Sequence, residues 1–125
     1  MSWGYNSRTG AVRTSNGGHW TAADIGWSGR GEGLNNPLQE HVHGVGPIPR
    51  GNWRMTELIL ADPHTGLFTI VLTPCEGTQV FGRDGFRIHG ANEGNPKESS
   101  HGCIVLPRWW RERIWFSGDR DLEVV

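Results

Sequence analysis

A mainly β domain with one short helix is the fold class this sequence predicts, and three observations predict it. Glycine and proline are plentiful, 19 and 7 residues in a chain of 125, but they are scattered without a period. That pattern marks many turns between short strands and not a fibre or a low-complexity segment. The apolar segments are short, and the clearest, Leu67 to Thr73, is rich in Phe, Ile, Val and Thr, the residues that suit a pleated surface. One helix is expected over Arg108 to Phe116, where Trp109, Trp110, Arg113 and Ile114 stand at mixed helical spacing, Pro107 opens the segment and Gly118 caps it.

The remaining elements follow in order. Trp3 and Tyr5 alternate with small or polar residues as a strand does, and Arg8-Thr9-Gly10 turns the chain. Ala11 to Thr14 reads as a second strand before the Asn16-Gly17-Gly18 turn signal, and a third is expected within His19 to Trp27. Ser28-Gly29-Arg30-Gly31-Glu32-Gly33 is glycine-rich but lacks the Gly-Lys-Ser/Thr ending of a phosphate loop, so it reads as a plain loop continuing through Asn35-Asn36-Pro37. Gly46 to Gly51 is a rigid turn, because Pro47 and Pro49 fix φ and remove two donors. Trp53 to Leu60 and Leu67 to Thr73 form strands joined by a hairpin loop at Ala61 to Gly66. Phe86 to His89 and Cys103 to Leu106 are two further short strands, and Asp121 to Val125 closes the sheet. No repeat or linker divides the chain, so residues 1–125 are expected to form a single domain.

Composition limits the partners. Lys and Arg number 12 against 13 Asp and Glu, a net charge of -1, which predicts no phosphate-binding face and no nucleic acid. No run approaches the roughly 18 apolar residues of a membrane span, so no membrane insertion is expected. The start, Met1-Ser2-Trp3-Gly4-Tyr5, lacks a basic segment followed by an apolar one, so no secretory signal peptide is expected and synthesis belongs to the cytoplasm. Most of the 7 tryptophans are expected in the core and on sheet faces. Two cysteines are too few for a disulfide framework, though the sequence leaves a single Cys75–Cys103 bridge open.

The chemistry gathers in Arg87-Ile88-His89-Gly90 and Ser100-His101-Gly102-Cys103-Ile104. With Phe86 and Ile88 facing the core, Arg87 and His89 take the other face. If the two strands are neighbours, His89 can meet Cys103. A thiol with a pKa of about 8.5 is mostly protonated at neutral pH, and a neighbouring imidazole can take its proton. Gly102 leaves room for a carbonyl substrate, the backbone N–H groups of Gly102 and Cys103 are candidate oxyanion donors, and Ser100 fixes the turn or orients His101. A backbone carbonyl is expected to hold the far nitrogen of His89. Either residue alone reads as ordinary packing, a small buried thiol or a satisfied polar side chain; together they read as a nucleophile and its base. The competing metal reading uses His41, His43, His89, His101 and Cys103. It lacks a Cys-x-x-Cys pair and a His-Glu-x-x-His helix, so no metal and no cofactor are expected, and His41 and His43 are taken as features of a groove rim.

The His-Gly and Ser-x-Gly-Cys pattern resembles the signature of YkuD-type L,D-transpeptidases, and the chain is more similar still to type VI secretion L,D-transpeptidase effectors. The matching stretches are Ser28-Gly29-x-Gly31, Asn35-Asn36-Pro37, Gly44 to Gly51, Phe81-Gly82-Arg83-x-Gly85-Phe86-x-Ile88-His89-Gly90, Ser100-x-Gly102-Cys103-Ile104 and Leu106-Pro107-Arg108. This resemblance implies an L,D-transpeptidase-like β-sandwich or sheet with Cys103 as nucleophile and His89 as base. It implies acyl transfer on peptidoglycan tetrapeptide stems, with release of D-alanine and resolution by water, a D-amino acid or another stem. It also implies delivery by a secretion machine into a rival's periplasm, and a cognate immunity protein. Two departures stand out: Ala91-Asn92 where relatives often carry an acid, and Val105 where the wider signature has Arg. Arg83, Arg87 and Arg50 are candidate substitutes for binding a substrate carboxylate, with Gly90 beside them. A catalytically silent wall-binding or phage module and a different thiol hydrolase are the other readings.

Overall fold

A computed structural model describes residues 2–91 and 100–125. Its described strands form one eight-stranded sheet. At its centre β4 (Gly51–Asp62) and β5 (Gly66–Pro74) pair antiparallel, with a bulge between Met55 and Glu57. On one side β8 (Asp121–Val124) pairs with β4 and, in parallel, with β1 (Trp3–Tyr5), while β2 (Val12–Arg13) forms the edge. On the other side β6 (Arg87–His89) pairs with β5, β7 (Ile104–Val105) runs parallel to β6, and β3 (Trp27–Ser28) lies outermost. The one described α-helix, α1 (Arg108–Phe116), packs on β5. The expected mainly β fold with a single short helix is therefore present.

Alternation along the strands builds the core. Trp53 and Met55 of β4 and Ile70 and Leu72 of β5 are buried together with Phe86, Ile88, Ile104, Ile114, Leu122 and Val124. Trp53 meets Phe86 edge-on, with centroids 5.0 Å apart, a geometry that adds to the apolar burial. Of the tryptophans, only Trp20 and Trp109 are exposed. The helix ends as expected, with Gly118 at φ +82, which glycine adopts without cost.

Four expectations change. No strand covers His19 to Trp27; β3 begins at Trp27, and only a bridge from Trp20 to Arg13 precedes it. The chain is pressed there against a distant strand, since a Cβ on Gly26 would stand 2.4 Å from the Val105 carbonyl. The loop from Ser28 to Pro37 is not plain: Ser28 belongs to β3, and Gly31–Gly33 and Pro37–Gln39 form short 3-10 turns. The hairpin loop is shorter than Ala61 to Gly66, because both strands extend into it. Asp62 makes this possible by accepting the N–H groups of His64 (2.8 Å) and Thr65 (2.9 Å) through Oδ1, an Asx turn. Finally, β8 lies inside the sheet between β1 and β4 and closes no edge.

The same two N–H groups, Thr65 first and then His64, with the Arg87 guanidinium adding to them, hold the Asp62 pKa at about 2, below the ordinary 3.8. A depressed folded-state value means that Asp62 stabilises the fold above pH 3.8 and loses that contribution as pH falls towards 2. The urea midpoint of Asp62→Asn should therefore lie below that of the wild type near pH 5, and the gap should close between about pH 4 and 2. A gap that stays constant across that range would refute this account.

Candidate active site

The turn Ser100-His101-Gly102-Cys103 enters β7 and is held at the carbonyls of His101, Gly102 and Cys103. Ser100 is fully buried, and its Oγ donates to the Cys103 carbonyl (2.5 Å) while accepting the N–H groups of Gly29 (2.9 Å) and Gly102 (3.1 Å). Ser28, equally buried, donates to the Gly102 carbonyl (3.2 Å) and accepts Ile48 N–H (2.8 Å). Arg83 Nη2 donates to the His101 carbonyl (3.2 Å). Gly102 has φ +134, and a Cβ on it would stand 2.2 Å from Arg83 Nη2, so only glycine fits.

Cys103 is half-buried on a cavity of about 250 Å³, which is also lined by His43, Gly82, Arg83, Asp84, Gly85, Phe86 and His101. Its Sγ lies 3.5 Å from the Gly85 carbonyl. Cys75 and Cys103 are both free. Among the described residues no three His, Cys, Asp or Glu gather as a metal site. Instead His43 lines the cavity wall, with Nε2–H donating to the Phe81 carbonyl (2.8 Å).

His89 stands on the neighbouring strand. The parallel register pairs Ile88 with Ile104 and His89 with Val105, so Cys103 comes opposite Arg87, with His89 two residues further along the same strand. Such diagonal neighbours are roughly 7–8 Å apart at the backbone, within reach of an imidazole. His89 Nδ1 lies 2.7 Å from the Gly90 carbonyl. A carbonyl only accepts, so Nδ1 carries the proton and Nε2 holds the free lone pair. Among the described residues no hydrogen bond yet joins the two side chains, a looseness common before substrate arrives.

Arg111 of α1 braces the histidine side. It is buried, and Nε donates to the Leu106 carbonyl (3.1 Å) while Nη1 donates to Leu67 (2.6 Å) and Phe68 (2.9 Å). A Cβ on Gly90 would stand 2.8 Å from its Nη2, so Gly90 is required to be small. The Leu106 N–H in turn binds the His89 carbonyl (3.0 Å).

Burial pushes the Cys103 thiol up, opposed by the backbone N–H of Arg87 and by the positive charges of Arg87 and Arg83. His89 is pushed down, first by burial and then by Arg111 and Arg87, while the Gly90 carbonyl pulls the other way. The resting pair is thus a neutral thiol beside a neutral imidazole.

Several expected roles change with this geometry. The guanidinium of Arg83 does not wait for a substrate carboxylate, because it is buried among backbone carbonyls. Arg87 is ion-paired to Asp62 at 2.5 Å, and Arg50 to Glu40 at 2.9 Å. His101 is exposed, with Nε2 3.4 Å from Arg30 Nη1, so it lies at the rim and is not oriented by Ser100. The Gly102 N–H expected at an oxyanion is already bound to Ser100. Asn92 lies outside the described residues. Ser28 and Arg111 were missed: a serine opening a glycine-rich loop and an arginine on a helix carry no local signal, although Ser28 was among the residues of the resemblance.

Residues 23–123 match the family model of the Tlde1 domain. The chain belongs to the Tlde1 domain family. The resemblance to type VI secretion L,D-transpeptidase effectors read from the sequence agrees with that membership. The fold of this Tlde1 domain is similar to that of L,D-transpeptidase 1 from Mycobacterium tuberculosis, with a TM-score of 0.52 and 15% identity. The likeness covers 98% of this chain and 60% of that one, so the Tlde1 domain spans about three fifths of the length of the solved protein. No curated protein matches the chain. No described helix is long and apolar enough to cross a membrane.

Proposed function

We propose that this Tlde1 domain is a cysteine-dependent acyltransferase acting on peptidoglycan tetrapeptide stems. Membership of the family and the transpeptidase-like fold support a peptidoglycan-modifying function. The observation that carries the finer reading is Cys103 on a fully braced turn at a cavity, one strand away from a histidine whose Nδ1–H is fixed by Gly90.

In this reading His89 Nε2 takes the thiol proton as sulfur attacks the carbonyl that precedes the terminal D-alanine. A C–S bond forms and the carbonyl oxygen becomes an oxyanion. The remaining candidate donor to it is Cys103 N–H, because Gly102 N–H is held by the buried Ser100 Oγ. Collapse breaks the C–N bond, the imidazolium proton passes to the departing amine, and D-alanine leaves. Water or an amine then gives its proton to His89, attacks the thioester and restores the thiol. Water yields a shortened stem, a D-amino acid yields exchange, and a second stem yields a cross-link. Action on the wall of a target cell, delivery by a secretion machine and control by an immunity protein extend the same reading.

The test follows product masses after incubation with disaccharide-tetrapeptide, with Cys103→Ala as control. Loss or exchange of D-alanine with intact Cys103, abolished in the control, is the expected result. Unchanged substrate under reducing conditions would remove the acyltransferase assignment and favour a wall-binding module.

A further inference from the structure

We infer that Arg83 is a positioning residue for the nucleophile, clamping two loops together beneath Cys103 and placing a fixed positive charge beside its sulfur. The inference rests on the reading of Cys103 as nucleophile and adds a residue to that site.

The geometry differs from the substrate-carboxylate contact that the sequence suggests for this arginine. Only 7% of Arg83 is exposed. Nη1 donates to the carbonyls of Glu40 (2.5 Å) and Pro47 (2.9 Å), and Nη2 to those of Gly46 (2.9 Å) and His101 (3.2 Å). One planar group thus joins the Glu40–Pro47 segment to the nucleophile's turn, a fork geometry that an ammonium cannot reproduce. Phe86 closes the underside, with the guanidinium carbon 5.1 Å from its ring centroid.

The clamp is anchored behind. Glu40 offers its carbonyl to Arg83 and its carboxylate to Arg50, which donates to it from N (3.0 Å), Nε (3.1 Å) and Nη2 (2.9 Å). A path of hydrogen bonds therefore runs from Arg50 through Glu40 and Arg83 to the His101–Gly102 peptide of the nucleophile's turn. Gly102 completes the fit, because any side chain there would collide with Nη2.

Among the described residues no carboxylate is ion-paired to Arg83, and every acceptor of its guanidinium is a neutral carbonyl. In a half-buried site such a charge acts with less screening than on the surface. Among the described residues the groups that face Cys103 are Arg83 and Arg87, His89 on the adjacent strand, and His43, Asp84 and His101 around the cavity. Arg87 and Arg83 both carry a permanent charge there, but Arg87 is ion-paired to Asp62, whereas Arg83 donates to backbone carbonyls. Its positive field favours the thiolate, in the direction opposite to burial.

The experiment measures the rate of Cys103 alkylation by iodoacetamide against pH, in a Cys75→Ser background, for wild type, Arg83→Met and Arg83→Lys. Arg83→Met should move the alkylation midpoint to higher pH and slow the reaction below it by about three- to tenfold. Arg83→Lys keeps the charge and loses the fork, so it should restore most of the midpoint while turnover of the tetrapeptide stays depressed. A folded Arg83→Met with the wild-type alkylation profile would overturn the inference. Should Arg83→Met fail to fold, Arg83→Lys decides alone: retained midpoint with reduced turnover supports the clamp, and wild-type turnover overturns it. Alkylation needs no peptidoglycan. An unreactive tetrapeptide with a shifted Arg83→Met profile would therefore count against the proposed reaction and leave the clamp standing, with the charge alone then read by the Lys variant's midpoint.

Discussion

His89→Ala is expected to lower kcat/KM on the tetrapeptide by about 10²–10⁴, the usual worth of a positioned general base, with little change in alkylation at Cys103 near neutral pH. The second half of this expectation separates two mechanisms. In a preformed thiolate–imidazolium pair the histidine lowers the thiol pKa, and its removal slows alkylation steeply. Here both shifts point the other way. Burial raises Cys103, and burial followed by Arg111 and Arg87 lowers His89. The proton therefore sits on sulfur at rest and moves only when the carbonyl is attacked. Two pH profiles follow. Because His89 must be neutral to act, and its folded value lies below the ordinary 6.5, the acid limb of kcat/KM should fall below that pH. Alkylation of wild-type Cys103 should climb on the alkaline side, with a midpoint above the ordinary 9.0. An alkylation midpoint in the acid-to-neutral range that His89→Ala abolishes would establish a preformed ion pair and remove this mechanism.

How far the sequence reached is best seen at particular residues. The alternation in Phe86 to His89 placed Phe86 and Ile88 in the core, where they are, because strand periodicity is local. The neighbouring of the His89 and Cys103 segments stood only as a condition in the sequence, and the parallel pairing of β6 with β7 meets it. The carbonyl expected at the far nitrogen of His89 is that of Gly90. What stayed hidden is non-local. Arg83 reads from the sequence as a binder of a substrate carboxylate because its acceptors come from residues 40, 46, 47 and 101, and a ring of backbone carbonyls has no residue signature. Arg111 was hidden for the same reason, its acceptors being the carbonyls of Leu67, Phe68 and Leu106. The strand expected before Trp27 failed because β3 is defined by its partner β7 and by the close approach of Gly26 to Val105, neither of which an alternation pattern contains.

Ser100→Ala should cost roughly 2–5 kcal/mol of stability. The side chain is small and its loss leaves almost no cavity, so apolar burial contributes little to this figure. The cost comes from three backbone groups that share one oxygen. Gly29 N–H and Gly102 N–H donate to it, and it donates to the Cys103 carbonyl. All three surround a position with no exposure, where an unpaired polar group loses water without gaining a partner. Ser28→Ala should cost less, because that hydroxyl serves two groups, the Gly102 carbonyl and Ile48 N–H. The order of the two variants is thus fixed by counting bonds, and urea unfolding measures it. A loss under about 0.5 kcal/mol for Ser100→Ala, the range of ordinary surface changes, would mean that the turn keeps its shape without the hydroxyl. If the turn relaxes instead, activity should fall further than stability predicts, since the Cys103 carbonyl belongs to a peptide of the reacting residue and the Gly102 N–H to the peptide one before it. Ser100→Thr then distinguishes the hydroxyl from the space around it: it retains the donor and acceptor and adds one methyl to a filled site. Recovery of turnover in Ser100→Thr would assign the effect to the hydrogen bonds, while continued loss would assign it to packing.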